Sequence, residues 1–225
     1  ITYNPDDDPG TVKHVDYAAE GADVSIDRTV YRDGKVWAQR YDRGQPAGKV
    51  TAVGETQRRG TRVTFRPDPT IFEVKEFSFE TLSGRLRELA FLNAGLKITI
   101  DDERSGKRHE FIFKDGIREF VRYLNKNREA LFPEPISLHQ EIETERGPAT
   151  VDIALQWNDG YDEKVYAFAN NIHNHEGGTH LIGFKAALTR SLNTYAGSHN
   201  LLKDLSENIT GDDCREGLTA VLSIT

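Results

Sequence analysis

Sulfur is nearly missing from this sequence. One cysteine, Cys214, stands alone, which excludes an internal disulfide and a cysteine-based zinc site and leads us to expect a reducing, cytoplasmic compartment. No methionine occurs in the 225 residues, not even an initiator, so a piece of a longer protein is expected. No apolar run approaches the ~20 residues that span a bilayer. A secretory leader is not expected either, because Asp6-Asp7-Asp8 stands where a basic and then apolar segment would be. Positive charge is in deficit: 29 Lys and Arg against 36 Asp and Glu give a net charge of -7. An acidic whole argues against a dedicated nucleic-acid module and leaves room for one basic face.

What is present suits a soluble globular chain. Hydrophobic residues make up 37% and charged residues 29%, with a mean hydropathy of -0.60, enough to bury a core in one large domain or two small ones. The first twenty or so residues are weakly patterned and read as an arm. Alternation begins at Val24, Ile26 and Val30, as in a strand. Asp33-Gly34 supplies a hairpin turn, Lys35 to Tyr41 the return strand, and Thr61 to Phe65 a further one. Ser78 is placed to cap a helix whose Phe79, Leu82, Leu86 and Leu89 share a face and which Gly95 ends. Short strands are expected around Ile98 to Ile100 and Phe111 to Phe113, then a second helix capped by Asp115 with Ile117, Phe120, Val121 and Leu124 on one side. Phe132-Pro133-Glu134-Pro135 cannot continue a helix and reads as the main boundary. Beyond it come strands at Val151 to Trp157 and Lys164 to Phe168. A long helix, Thr179 to Tyr195, buries Leu181, Phe184, Leu188, Leu192 and Tyr195, and a last strand runs from Leu218 to Ile224. The organisation is α+β in two parts.

Candidate chemistry is sparse. His173, His175, Glu176 and His180 fall within eight positions, yet not at the spacing of a zinc-binding HExxH helix. Gly177-Gly178 and Gly183 at a helix start would let backbone approach an anion, but the Lys-Ser/Thr of a P-loop is missing. Asp212, Asp213 and Glu216 would suit magnesium, whereas Arg215 among them favours a surface ion-pair turn. No metal site is therefore expected. Between Gly183 and Lys203 the charged residues are Lys185, Arg190 and Lys203, with no acid among them. That helix face suits either phosphate contact or plain solvation. Trp37 and Trp157 lie in alternating strands and read as packing. No nucleophile has an evident base partner.

Five stretches, in order and in register, resemble one family. Arg87-Glu-Leu-Ala-Phe-Leu-Asn-Ala-Gly95, Tyr123-Leu-Asn-Lys-Asn127, Ala154-Leu-Gln-Trp-Asn-Asp-Gly-Tyr161, Glu176-Gly-Gly-Thr-His-Leu-Ile-Gly-Phe184 and Gly211-Asp-Asp-Cys-Arg-Glu-Gly217 look like the B subunit of bacterial type IIA DNA topoisomerases. His180-Leu-Ile-Gly-Phe184 is more similar to the gyrase B branch than to its topoisomerase IV counterpart. The likeness covers about residues 30 to 225.

The resemblance implies a partial GHKL-type ATPase domain over 24–131, a sheet/helix layer. A ribosomal-protein-like βαβ transducer domain follows over 132–225, with 1–23 left as an unassigned N-terminal arm. It implies that the complete subunit uses ATP and Mg2+, dimerises with a second B subunit on binding ATP, works with the gyrase A subunit and passes a DNA duplex. No membrane enters this scheme. Thr61, with Gly60 and Val63, matches the segment closing the adenine pocket. Arg32 matches the pocket-rim arginine associated with coumarin inhibitors. Lys185 and Arg190 match basic positions of the transducer helix that would contact DNA. The family's magnesium-binding Glu/Asn helix, its Asp-x-Gly-x-Gly motif, its glycine-rich phosphate lid and its Gln-Thr-Lys loop are not found in the sequence. The chain alone is therefore expected to bind no nucleotide and to hydrolyse none, and no catalytic residue is assigned. A non-catalytic binding or structural module on the same scaffold is the alternative.

Overall fold

The structure is a computed structural model that describes residues 2–3, 11–13, 25–74, 76–145, 147–203 and 208–225. It has an α+β architecture and divides into two compact units, Ile1–Lys114 and Asp115–Thr225. No helix is long and apolar enough to cross a membrane among the described residues.

The first unit contains β1 (Thr2–Tyr3), β2 (Thr11–Lys13), β3 (Ser25–Arg32), β4 (Lys35–Asp42), β5 (Gln45–Pro46), β6 (Thr51–Glu55), β7 (Gly60–Phe65), α1 (Phe79–Leu92), β8 (Lys97–Asp102) and β9 (Lys107–Phe111). Its strands form one sheet in the order β5-β4-β3-β7-β1-β2-β8-β9, with β6 paired to β4. Asp33 and Gly34 turn β3 into β4 with φ of 54° and 74°, the positive pair that a primed two-residue hairpin requires. Ser78 caps α1 by accepting from the Thr81 N–H at 3.3 Å. Phe79 and Ala90 of α1 are buried on Ile98, Ile100 and Phe111, with Leu82, Leu86 and Leu89 packed alongside. Phe113 stacks on Phe91 at 3.7 Å.

The arm expected over 1–23 holds two described strands. Thr2 pairs with Arg62 of β7, and Val12 pairs in parallel with Ile98 of β8. Runs of two and three residues give no periodicity to read, and backbone pairing alone places them. The rest of that arm, and Val24, lie outside the described residues.

The second unit contains α2 (Ile117–Leu124), β10 (Ile136–Thr144), β11 (Gly147–Trp157), β12 (Lys164–Ala169), β13 (Ile172–His173), α3 (Thr179–Ser198), α4 (Gly211–Arg215) and β14 (Leu218–Ile224). The sheet order is β10-β11-β14-β12-β13. β12 and β14 run parallel, so the chain between them crosses over through α3 and α4. Leu155, Leu218, Ala220 and Leu222 point to one face, against Phe184, Leu181 and Leu188 of α3. On the other face α2 brings Phe120 to Phe168. Between β10, β11 and α3 lies an apolar cavity of about 540 Å³, lined by residues such as Leu138, Ile153, Trp157 and Phe184.

Several expectations change here. Asp115 does not cap α2: the helix opens from Gly116 at φ 55° with no side-chain cap, while the Asp115 N–H donates to Glu119 Oε1 at 2.8 Å. Tyr195 is 58% exposed and stacks on His199 at 4.0 Å instead of entering the core. β10 was missed, although Ile136, Leu138 and Ile142 share its period of two. Apart from these, the compact units part at Lys114–Asp115, ahead of α2, and the proline run lies within the second unit. Gln156 Nε2 donates to the Phe132 carbonyl at 2.7 Å, and the Leu131 N–H donates to the Trp157 carbonyl at 3.0 Å. Proline stiffens that stretch; these bonds attach it to β11.

Candidate functional site

The candidate nucleotide-side residues lie on β7 and β3. Antiparallel register sets Thr61 opposite Val30 and Val63 opposite Arg28, and directly opposed side chains share a face. Arg32, two residues beyond Val30, joins them on that face by the period of two. The structure thus brings Thr61, Val63 and Arg32 together on one side of the sheet. None of the described side chains of β3, β4, β6 and β7 is buried, and Val63 is 36% and Phe65 44% exposed on this face. Gly60 opens β7 at φ 151°, within the range that favours glycine. Arg32 is solvent-facing and pairs loosely with its neighbour Asp33 at 3.5 Å.

The candidate phosphate-contacting residues lie on α3, where the structure separates them. Arg190 is exposed, and no ion pair to it is found among the described residues. Lys185 is half-buried, its Nζ 2.6 Å from Glu163 Oε1. Glu163 is shared: Arg215 Nε reaches its other oxygen at 3.1 Å, and Arg215 Nη2 reaches Asp212 at 2.8 Å. Burial works against the charge on Glu163, but the bonds from Lys185 and Arg215 outweigh it and hold the carboxyl below its usual range. Sequence reasoning saw no acid on the helix because the acid, Glu163, comes from the residue just before β12.

The acidic turn at α4 is an ion-pair and capping structure. Thr210 and Asp213 form a capping box, and the bond from the Thr210 hydroxyl lowers the Asp213 pKa. Of the histidines near α3, His173 stacks on Phe168 at 4.8 Å and lies 3.9 Å from His175 with the rings tilted. Among the described residues, no three His, Cys, Asp or Glu side chains converge as a metal site.

Sequence reasoning also missed a buried amide cluster. Thr219 Oγ1 donates to Asn125 Oδ1 at 2.7 Å, Asn125 Nδ2 donates to Gln156 Oε1 at 2.9 Å, and Asn158 Nδ2 donates to Asn125 Oδ1 and to Thr219 Oγ1, each at 3.2 Å. All four residues are buried. Asn125 is the C-cap of α2, so the cluster fixes that helix to β11 and β14. The signal was available, since three of these four residues sit in the stretches that carry the resemblance.

Comparison with known proteins gives a consistent neighbourhood. The family model described as DNA gyrase B matches residues 116–225. The DNA gyrase B protein of Myxococcus xanthus is 57% identical over 195 residues, 87% of this chain and 23% of that protein. Its counterpart from Clostridium acetobutylicum is 50% identical over 195 residues, again 87% of this chain and 30% of that protein. This chain thus spans less than a third of the length of either relative. Among solved structures, the 43K ATPase domain of Thermus thermophilus gyrase B, in complex with an aminocoumarin, superposes with a TM-score of 0.77 at 36% identity. That match covers 90% of this chain and 55% of that one.

Proposed function

Because the chain belongs to the DNA gyrase B family, we propose that it works as part of the ATPase and transducer region of a cytoplasmic gyrase B protein. There it helps couple ATP binding and hydrolysis to DNA strand passage and supercoiling. ATP and Mg2+ belong, on this reading, to the complete subunit, as do a second copy of it, the gyrase A subunit and the DNA duplex. What this chain contributes on the nucleotide side is the wall Gly60, Thr61 and Val63, with Arg32 on the same face toward the rim where an aminocoumarin would sit. The partial GHKL-type portion is 24–131 and the transducer portion 132–225, α2 serving as the piece of the former that the amide cluster binds to the latter.

On the DNA side the chain contributes α3. The observation that carries this reading is the exposed Arg190 on α3, with Lys185 half-buried on the same helix, on the unit that the family model matches. Such cations contact phosphates without reading bases, which suits a protein that acts on any sequence. The test is the double substitution Lys185→Ala and Arg190→Ala in a gyrase carrying this chain. Supercoiling should fall, and the salt dependence of duplex binding should flatten by at least the one phosphate contact of Arg190. Unchanged supercoiling and an unchanged salt slope would leave α3 as a solvated surface.

A further inference from the structure

The two cations of α3 differ in availability. Arg190 faces solvent, whereas Lys185 is already neutralised by Glu163 at 2.6 Å. The four charges Lys185, Glu163, Arg215 and Asp212 cancel in pairs, so among the described residues the helix presents one open cation and one masked one. A phosphate that recruits Lys185 must take it from Glu163. The exchange leaves Glu163 partnered, because Arg215, with only 13% of its side chain exposed, keeps the second oxygen at 3.1 Å. An ion pair whose acid stays held after the lysine departs is far easier to open than an isolated buried pair, where one charge would be stranded. The lysine is masked but can be released.

We propose that Glu163 is an intramolecular competitor for phosphate: it sets how strongly α3 holds DNA by occupying Lys185 until a phosphate displaces it. This rests on the reading of α3 as a DNA-facing helix and adds the residue that tunes the contact. For an enzyme that must let a duplex go as well as hold it, a cation with a resident carboxylate gives contacts that form and break readily. Glu163 touches no DNA itself; it positions Lys185 and limits its availability.

The experiment measures binding of a fluorescein-labelled 30-base-pair duplex by anisotropy across a NaCl series, with the chain as it stands and with Glu163→Gln. Glutamine keeps the shape and an acceptor oxygen but removes the charge. Glu163→Gln should bind several-fold more tightly at low salt, with the slope of log K against log salt steeper by about 0.9, one additional phosphate contact. The gain should vanish in a Lys185→Ala background, which separates release of that lysine from a general loss of negative charge. In the unaltered chain, Arg190→Ala should weaken binding more than Lys185→Ala does, a comparison that needs no change at Glu163. If Arg190→Ala weakens binding while Glu163→Gln leaves affinity and slope alone, the competitor role is wrong and the DNA reading stands. If Glu163→Gln only lowers the melting temperature, the residue is a clamp between α3 and α4 and the proposal fails. If the chain shows no salt-dependent duplex binding at all, the DNA reading fails and the competitor role goes with it.

Discussion

Gly217 offers a sharp test of how the second unit is held together. It lies between α4 and β14 at φ 70°, and a Cβ there would stand 2.5 Å from the Asn158 carbonyl oxygen and 2.6 Å from that of Gly160. Carbon–oxygen contacts normally sit at about 3.3 Å or more, so in Gly217→Ala the loop would have to retreat by roughly 0.7–0.8 Å. Both obstructing atoms are main chain, and the loop is not free to retreat. The Asn158 N–H donates to the Gly217 carbonyl at 2.9 Å, and the Asn158 side chain belongs to the buried amide cluster. The left-handed conformation costs alanine about 1–2 kcal/mol, and each buried hydrogen bond spoilt adds about 1 kcal/mol. With two or three such bonds affected, the loss is about 3–5 kcal/mol. For a unit of this size that is a fall in melting temperature of roughly 12–20 °C. Differential scanning calorimetry, with near-ultraviolet circular dichroism to follow the tryptophans, would resolve it, and the transition of the first unit should stay in place. A variant that melts within ~4 °C of the parent would refute the claim that the Asn158–Gly160 backbone is pinned.

Other substitutions probe different links. Gly84, in α1, has open space where a Cβ would go, so Gly84→Ala should stabilise the first unit by up to about 1 kcal/mol, seen as a higher urea midpoint. Thr219→Val keeps the shape but removes the hydroxyl that joins Asn125 and Asn158, and should cost about 1–3 kcal/mol in the second unit, read from urea melts. His139 Nδ1 lies 2.6 Å from Asp152 Oδ1, and that hydrogen bond, aided by the carboxylate charge, raises the histidine pKa above 6.5. A raised folded pKa means stabilisation that is full below about pH 6.5 and lost as pH rises through the higher folded value. The melting temperature of the parent should therefore decline between pH 6 and 8.5 relative to His139→Asn. Parallel profiles for the two proteins would contradict it.

Elements governed by local chemistry were legible in the sequence. Asp33-Gly34 announces its turn, Ser78 its cap and the leucines of α1 their buried face, because each depends on neighbours within a turn or two. What depends on distant partners was not legible. α2 has the stripe of an amphipathic helix, but nothing in that stripe says which sheet receives it; the amides of Asn125, Gln156 and Asn158 decide, and they are spread over more than thirty positions. Thr61, Val63 and Arg32 fall on one face only once the register of β3 against β7 is known. Lys185 looked open for the same reason: a helical wheel displays the charges of its own helix and not Glu163.

β10 carries a consequence for how the protein behaves at high concentration. All nine of its residues are exposed and it forms one border of the sheet, so among the described residues one side of its backbone has no strand beside it. Ile136, Leu138 and Ile142 on one face would reward a second molecule for adding itself there. Glu141 and Glu143, with Glu145 just beyond, oppose that growth through like charge, the guard that border strands commonly carry. Replacing those glutamates with neutral residues would leave the fold's packing untouched and turn a discrete particle into one able to extend strand by strand, with turbidity rising with protein concentration.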